Sequence, residues 1–283
     1  MLTSMNRMTS IPASPAPFGL EPVDPADPAD SVDPANPDAA GRLAGSVIVR
    51  ITAAALLVLL AWDYSGLDLT LAGWFGGESG FARQHDWFWE GLLHQRVAQW
   101  QWLPELLLLA MAVLPVGMMR TLPLDRRLQL ALGPLLALAL ISGLKSFSRT
   151  SCPWDLQQFG GVALYASHWL WGPADGGGGH CFPAGHASAA FAYVNGFFVF
   201  RHGLPKVARC WLVVALLAGL MLGLAQQVRG AHFMSHTLWT AWLCWVTAAL
   251  VDAAVTRRHR RRHAPAPAPA SGVAAPRPAT PPA

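Results

Sequence analysis

Apolar residues fall in long blocks along this 283-residue chain, separated by shorter polar segments. A helix that crosses a bilayer needs roughly 20 mostly apolar residues, because the hydrocarbon core is about 30 Å thick. Six blocks come close to that length, near residues 46–64, 102–119, 128–144, 184–200, 210–226 and 236–255. The pattern therefore predicts an all-α, polytopic membrane protein with about six transmembrane helices packed in a bundle.

The blocks divide the chain into three regions. Residues 1–42 are rich in Pro, Ala and Asp and show no periodicity, so we expect a disordered cytoplasmic N-terminal segment. Residues 43–256 contain the six blocks and are predicted to form the membrane domain. Residues 257–283 begin with an arginine cluster and continue as an Ala/Pro-rich stretch, which predicts a flexible cytoplasmic tail.

The distribution of charge predicts the orientation. Only 13% of the residues are charged, about half the share of a typical soluble domain. Lys and Arg gather in the loops after the second and fourth blocks and beside both ends of the membrane domain. The positive-inside rule then places both termini in the cytoplasm, with the membrane being a bacterial-type inner membrane that the chain crosses several times. The arginine cluster directly follows an apolar helix, so we expect it to bind anionic lipid of the bilayer, and we expect no nucleic-acid partner.

Two polar stretches on the predicted outer side suggest a phosphate site. Lys145 and Arg149 are four residues apart, so on a helix they share one face and could bind an anion together. Ala184 and Gly185 lead into the fourth block, where the start of a helix presents free N–H groups, and glycine allows a close approach of the backbone. His186 then stands at the mouth of the same pocket.

A third stretch adds Arg229, His232 and His236, with the histidines four residues apart. Cations, backbone amides and imidazoles are the groups that phosphoryl transfer without a metal requires, because they supply charge stabilisation, a nucleophile and a proton donor. Ionisable groups at membrane depth are costly and tend to be functional. We therefore interpret the three stretches as one catalytic site with no metal and no cofactor.

The three stretches resemble the motifs of the type-2 phosphatidic-acid phosphatase superfamily, which also includes the vanadium haloperoxidases. The resemblance covers roughly residues 100–255. Matching positions are Lys145, Pro153, Pro183, Gly185, His186 and His232. Departures are Cys152 for an arginine, Ala184 for a serine, Gln226 for an arginine and His236 for an aspartate. The resemblance implies a six-helix bundle with its active site at the periplasmic ends of the helices.

The resemblance also implies a mechanism. His232 would attack phosphorus and form a phosphohistidine, and His186 would protonate the leaving group and then activate water. Lys145 would hold the phosphate oxygens, with Arg149 and Arg229 standing in for the family's displaced arginines. In the family, an aspartate orients the nucleophilic histidine through its other ring nitrogen. Here that nitrogen of His232 would be held by His236, by Asp155 or by a backbone carbonyl.

The expected activity is metal-independent hydrolysis of a phosphorylated membrane lipid at the outer face of the inner membrane. One alternative is transfer of the phosphate to another lipid by the same phosphoenzyme. A second is a metal-dependent membrane oxidase with His232 and His236 as ligands, supplemented by His168, His180 or His186. A third is a transporter, although the polar residues gather at one face and not at the midplane.

Two cysteines lie beside the first two motifs in the predicted outer segment. Cys152 and Cys181 face a compartment that can be oxidising, so a disulfide between them is possible. Such a bridge would close a loop of about 29 residues and tie the two motifs together. Two unpaired buried thiols are the alternative.

Overall fold

The computed structural model describes residues 37–170 and 175–262, with side chains from residue 45 onward except those of 93, 94, 97 and 98. Most of the segment predicted to be disordered, up to residue 36, and the tail from residue 263 lie outside the described residues. The chain divides into two units, Met1–Gly45 and Ser46–Ala283, and the packing described below is that of the second unit.

The described part of the chain is mainly helical. In chain order its helices are α1 (Pro37–Ser65), α2 (Leu67–Gly73), α3 (Val97–Trp100), α4 (Trp102–Val113), α5 (Leu124–Phe147), α6 (Gly185–Phe191), α7 (Asn195–Phe200), α8 (Pro205–Val228) and α9 (Met234–Arg262). A short antiparallel pair, β1 (Gly76–Gly77) and β2 (Gly80–Phe81), and a π-helical segment, Trp87–Arg96, lie between α2 and α3. Single 3₁₀ turns occupy Gly117–Thr121, Pro153–Asp155, Gln157–Phe159 and Ala192–Val194.

Four of the described helices are long and apolar enough to cross a membrane, which indicates a membrane protein. They are Gly45–Ser65 within α1, together with α5, α8 and α9. The predicted second span forms α4, a helix of 12 residues that ends just before Pro115. Proline has no N–H to continue a helix, which explains the early end. A count of six crossing helices therefore stays a prediction.

The predicted fourth span is divided. It forms α6, a 3₁₀ turn and α7, and most of its apolar side chains are buried in the protein. Phe191 and Phe198 belong to a core that they share with residues of α5, α8 and α9. The apolar character of this block thus reflects its central position in the bundle as much as contact with lipid.

Small residues set how closely the helices around this segment approach. A Cβ on Gly219 of α8 would collide with the ring of Phe191, and one on Gly223 would collide with Thr237 of α9. Glycines at such contacts allow close packing of helices in membranes. As a result, α8 lies against both α6 and α9, and it brings its C-terminal end to the N-terminal ends of those helices.

A buried ion network closes the opposite end of the bundle. Asp252 of α9, only 3% exposed, lies 2.6 Å from Arg126 of α5 and 2.7 Å from Arg201, which follows α7. Gln129 also donates to this carboxylate at 3.2 Å. The network joins three helices at the end where the sequence predicts cytoplasmic loops.

Candidate active site

Backbone hydrogen bonds bring the three motif stretches together at one end of the bundle. The N–H groups of His180 and Cys181 donate to the carbonyls of Ser148 and Thr150, both at 2.9 Å. These contacts join the second stretch to the first. The third stretch is joined by the Trp154 N–H, which donates to the Gly230 carbonyl at 3.0 Å.

Lys145 and His186 line one cavity of about 240 Å³. Lys145 is in the last turn of α5, and His186 is in the first turn of α6. Between them lies Gly185, where a Cβ would be 3.7 Å from Cδ of Lys145. The missing side chain therefore leaves space beside the lysine, which fits the predicted approach of an anion to this helix start.

A tight turn between α8 and α9 positions His232. Gly230 has a φ of +76°, a conformation that favours glycine, and a Cβ there would also collide with the ring of Phe81. The Gln226 carbonyl then accepts the N–H groups of Ala231 at 2.8 Å and of His232 at 3.4 Å. The turn thereby places His232 just before α9, with 3% of its surface exposed.

Electrostatics link His232 to the other predicted catalytic residues. Burial is the largest cause that lowers the pKa of His232 well below its usual value. The positive charges of Lys145, His236 and His186 act in the same direction. The centres of the His232 and His236 rings are 5.9 Å apart. The lowered pKa favours the neutral form of His232, and a neutral imidazole is the form that can attack phosphorus.

A backbone carbonyl is one of the three groups expected from sequence to orient His232, and the Cys181 carbonyl is in contact with His232 and also with His236. Its contact with His232 partly offsets the lowering of the His232 pKa. The Nδ1 atom of His232 also lies 3.5 Å from Sγ of Cys181. Cys181 is joined to Cys152 by a disulfide, with their Cα atoms 5.2 Å apart. This bridge fixes the carbonyl beside the histidine.

Asp155 is placed differently from its suggested orienting role. Its carboxylate accepts the backbone N–H of Cys152 at 3.1 Å and caps the 3₁₀ turn Pro153–Asp155. Asp155 is only three residues from Cys152, so its carboxylate accepts this local backbone N–H and makes no hydrogen bond to His232 in the described part of the chain.

Arg229 is buried at the site's edge and its guanidinium is engaged by other groups. It donates to the Gln84 carbonyl at 2.9 Å and to Oε1 of Gln226 at 3.1 Å, and it lies 3.3 Å from Oε1 of Glu90. Gln226 occupies the position at which the family has an arginine. Because Arg229 is hydrogen-bonded to Gln226, its guanidinium lies next to that position. The described residues that line the cavity of Lys145 include neither Arg229 nor His232.

Arg149 and Ala184 also have defined places. Arg149 is exposed and lines a second cavity, of about 470 Å³, together with His168 and Phe182. Ala184 is fully buried, and its carbonyl accepts the Thr240 hydroxyl at 3.2 Å. Ala184 therefore connects the start of α6 to α9. Arg149 and Lys145 line different cavities.

A buried Asp63–His168 pair was not expected to contribute to this site. Nε2 of His168 lies 3.4 Å from Asp63, which also accepts the indole N–H groups of Trp169 at 3.0 Å and Trp239 at 2.9 Å. The His168 ring is 5.8 Å from that of His236. Sequence reasoning considered His168 only as a possible metal ligand. The one signal in the sequence that could have indicated this pair is the carboxylate of Asp63 at the end of an apolar block.

The donor set does not favour the metal-dependent alternative. Ligand atoms of Cys181, His232 and His236 lie within 4.8 Å of one another. A cysteine binds metal as a thiolate, and the sulfur of Cys181 is in a disulfide, so two imidazoles remain. His180 is exposed and lies 3.1 Å from the Lys145 carbonyl. Within residues 37–170 and 175–262, this cluster supplies too few ligands for a typical transition-metal site.

Comparison with known proteins supports the resemblance found in the motifs. The model of the PAP2 superfamily matches residues 127–260, which include all three stretches. Searches of curated proteins and of solved structures found no match.

Proposed function

Because residues 127–260 belong to the PAP2 superfamily, whose members are generally phosphatases, we propose that this protein is a metal-independent lipid-phosphate phosphatase that acts through a phosphohistidine. One observation carries the proposal. A buried, neutral His232 is electrostatically coupled to Lys145 and His186, and these two line a cavity of suitable size for a phosphate head.

In the first step, a ring nitrogen of His232 attacks phosphorus and the bond to the leaving oxygen breaks. His186 donates its proton to that oxygen, so the lipid alcohol leaves neutral. In the second step, His186 takes a proton from water, the hydroxide attacks phosphorus, and the bond to His232 breaks. General acid–base assistance of this kind is worth about 10²–10⁴ in rate.

Lys145 is the proposed principal phosphate ligand, because it shares the cavity with His186 and is coupled to His232. Positioning and charge neutralisation supply most of the catalysis in phosphoryl transfer. We propose smaller contributions from the other two cations. Arg149 would have to reach across from the second cavity, and Arg229 would have to leave part of its contact with Glu90.

The Cys181 carbonyl takes the place of the family's aspartate in the proposal. A carbonyl accepts the N–H of His232 and so fixes which nitrogen is free to attack. Unlike a carboxylate, it carries no negative charge with which to stabilise the positive charge of a phosphorylated imidazole. The Asp63 carboxylate, next to His168 and hence near His236, is a compensating charge that this site offers.

The lipid character of the substrate rests on the position of the site. The motifs lie at the ends of α5, α8 and α9, which are long and apolar enough to cross a membrane. From the Lys/Arg distribution we propose that this end lies at the outer face of the inner membrane. Phosphatidic acid, phosphatidylglycerol phosphate, polyprenyl pyrophosphate and a lipid A phosphate are the candidates to compare.

The test begins with purified protein in detergent and chelator, assayed for phosphate release from these four lipids. Brief reaction with a ³²P-labelled substrate should then give an acid-labile, base-stable label on the peptide that contains His232. His232→Ala should abolish this label, whereas His202→Ala, an exposed histidine at the opposite end of the bundle, should leave it intact. His236→Ala should reduce activity less than His232→Ala.

Two results would overturn the assignment. Full labelling of His232→Ala with loss of label in His236→Ala would move the nucleophile by one helical turn. Release of phosphate that needs a divalent metal would remove the phosphohistidine mechanism. If the label forms but passes to a lipid alcohol and not to water, the same phosphoenzyme serves a phosphotransferase.

A further inference from the structure

The cavity that holds Lys145 and His186 is lined by residues of α4, α5 and α6. Ser142, one turn before Lys145 on α5, is one of them. Glu105 in the first turn of α4 and Tyr193 in the 3₁₀ turn that follows α6 also line it. The proposed catalytic residues account for only part of this lining, so the part formed by Glu105 and Tyr193 has no assigned role.

Glu105 is an unusual group to find there. It is 2% exposed, and its Oε2 accepts the Tyr193 hydroxyl at 3.4 Å. The other oxygen, Oε1, is buried and has no hydrogen-bond partner among the residues that the structure describes. Buried polar atoms are nearly always paired, since an unpaired one loses its hydration without compensation. Oε1 therefore lacks the partner that its surroundings should supply.

Another buried carboxylate of this protein, Asp252, has a structural role and is fully paired. Asp252 is similarly buried, yet it is contacted by Arg126, Arg201 and Gln129. Glu105 has no comparable ion pair among the side chains that the structure describes. Its position in the first turn of α4 reduces the cost of burying a negative charge, because the helix dipole is favourable there. The dipole does not account for an oxygen left open beside a cavity.

We propose that Glu105, held by Tyr193, accepts a hydrogen bond from a hydroxyl or amide N–H group on the alcohol half of the substrate. The inference rests on the proposed phosphatase function. With the phosphate between Lys145 and His232, the leaving oxygen faces His186, and the space beyond His186 runs to Glu105. The bond selects phospholipids that carry a donor close to the phosphate over those, such as polyprenyl phosphates, that carry none.

The size and charge of the cavity restrict the ligand further. At about 240 Å³ it is smaller than the roughly 300–1,000 Å³ of pockets that enclose drug-sized ligands, so it accommodates a head group while the acyl chains stay outside. Lys145 lies in the same cavity and would repel a second cation. A neutral donor therefore fits better than an ammonium group.

The test compares two substrates that differ by a single hydroxyl: lysophosphatidic acid, and its analogue with hydrogen in place of the 2-hydroxyl. Wild-type protein should have a kcat/KM about 10- to 100-fold higher for the hydroxyl compound, the range for a hydrogen bond to a charged group. Glu105→Met should bring the ratio close to one. Glu105→Gln keeps a neutral acceptor and should retain a smaller preference, and Tyr193→Phe should reduce the preference partially.

Glu78→Gln, an exposed carboxylate outside the cavity, is the matched control and should keep the wild-type ratio. Failure of wild-type protein to release phosphate from these two compounds and from the four lipids named above would refute the proposed function itself. Release from any of those four lipids but from neither test compound would refute only the role of Glu105. Equal wild-type rates on both compounds would refute only the role of Glu105. A Glu105→Met variant that loses activity on both to the same extent would also refute it, by making the residue purely structural. If that variant does not fold, a Tyr193→Phe ratio equal to wild type decides against the proposal.

Discussion

The disulfide between Cys152 and Cys181 should stabilise the active-site end of the protein and keep His232 in its reactive geometry. The bridge joins residues 29 apart in sequence. Cys181 also provides the carbonyl that hydrogen-bonds His232. Replacing both cysteines by serine removes the cross-link with little change in side-chain volume, so the double variant tests the role of the bridge directly.

The expected magnitude follows from the loop length. In the chain-entropy model, closing a loop of this size stabilises the folded state by about 3.5 kcal/mol. For globular domains of 150–250 residues, 1 kcal/mol corresponds to about 2–4 °C, so the melting temperature should fall by roughly 7–14 °C. The Cys181 carbonyl would also gain freedom to move, so kcat/KM should fall at temperatures where the variant is still folded.

The assay is thermal unfolding in detergent, together with phosphate release below the transition. Reductant should shift the wild-type protein toward the double variant and should have no effect on the variant. Cys210→Ser, which removes a free and exposed cysteine, is the matched control and should leave both quantities unchanged. A melting temperature within 2 °C of wild type, or two alkylatable thiols at positions 152 and 181 in unreduced protein, would refute the reasoning.

Three further predictions concern pH, the opposite end of the bundle and orientation. Because burial lowers the pKa of His232, its neutral form persists as the pH falls, so the acid limb of kcat/KM should lie well below pH 6.5; a limb at or above that value would contradict a buried nucleophile. Asp252→Ala removes the buried carboxylate that pairs with the half-buried Arg126 and Arg201, and it should lower the free energy of unfolding by about 3–5 kcal/mol without changing kcat of folded protein, as measured by denaturant unfolding beside initial rates. In a Cys210→Ser background, a membrane-impermeant thiol reagent added to intact spheroplasts should label Gln158→Cys and should miss Lys206→Cys; the reverse pattern would invert the proposed topology.

The candidate site was predictable from sequence to the extent that it depends on local spacing. Lys145, His186 and His232 each stand in a short motif with defined neighbours, and the fold brings them into electrostatic contact. Motif spacing suffices here because a helix or a tight turn fixes the direction of a side chain within a few residues. The resemblance to the PAP2 superfamily rests on the same local patterns, and the family match over residues 127–260 confirms it.

Contacts between distant segments could not be deduced in this way. Arg229 is close to the motif in sequence, but Gln84 and Glu90, from another part of the chain, engage its guanidinium. Glu105 meets Tyr193 across 88 residues, and nothing in the local sequence of either residue indicates the other. Such pairs depend on which helix faces pack together.

The sequence by itself determined that the chain is helical, apolar in long blocks and similar to the PAP2 superfamily, because those properties arise from periodicity, composition and short motifs. The tertiary structure decided how each block is used. The block 184–200 became a central, divided helix buried by its neighbours, and the block near 102–119 became a helix of 12 residues. It also placed the Cys181 carbonyl beside His232 and used the Asp155 carboxylate to cap a local turn. Burial and pairing are properties of the packed bundle, and hydropathy along a single chain does not distinguish a side chain that faces lipid from one that faces another helix.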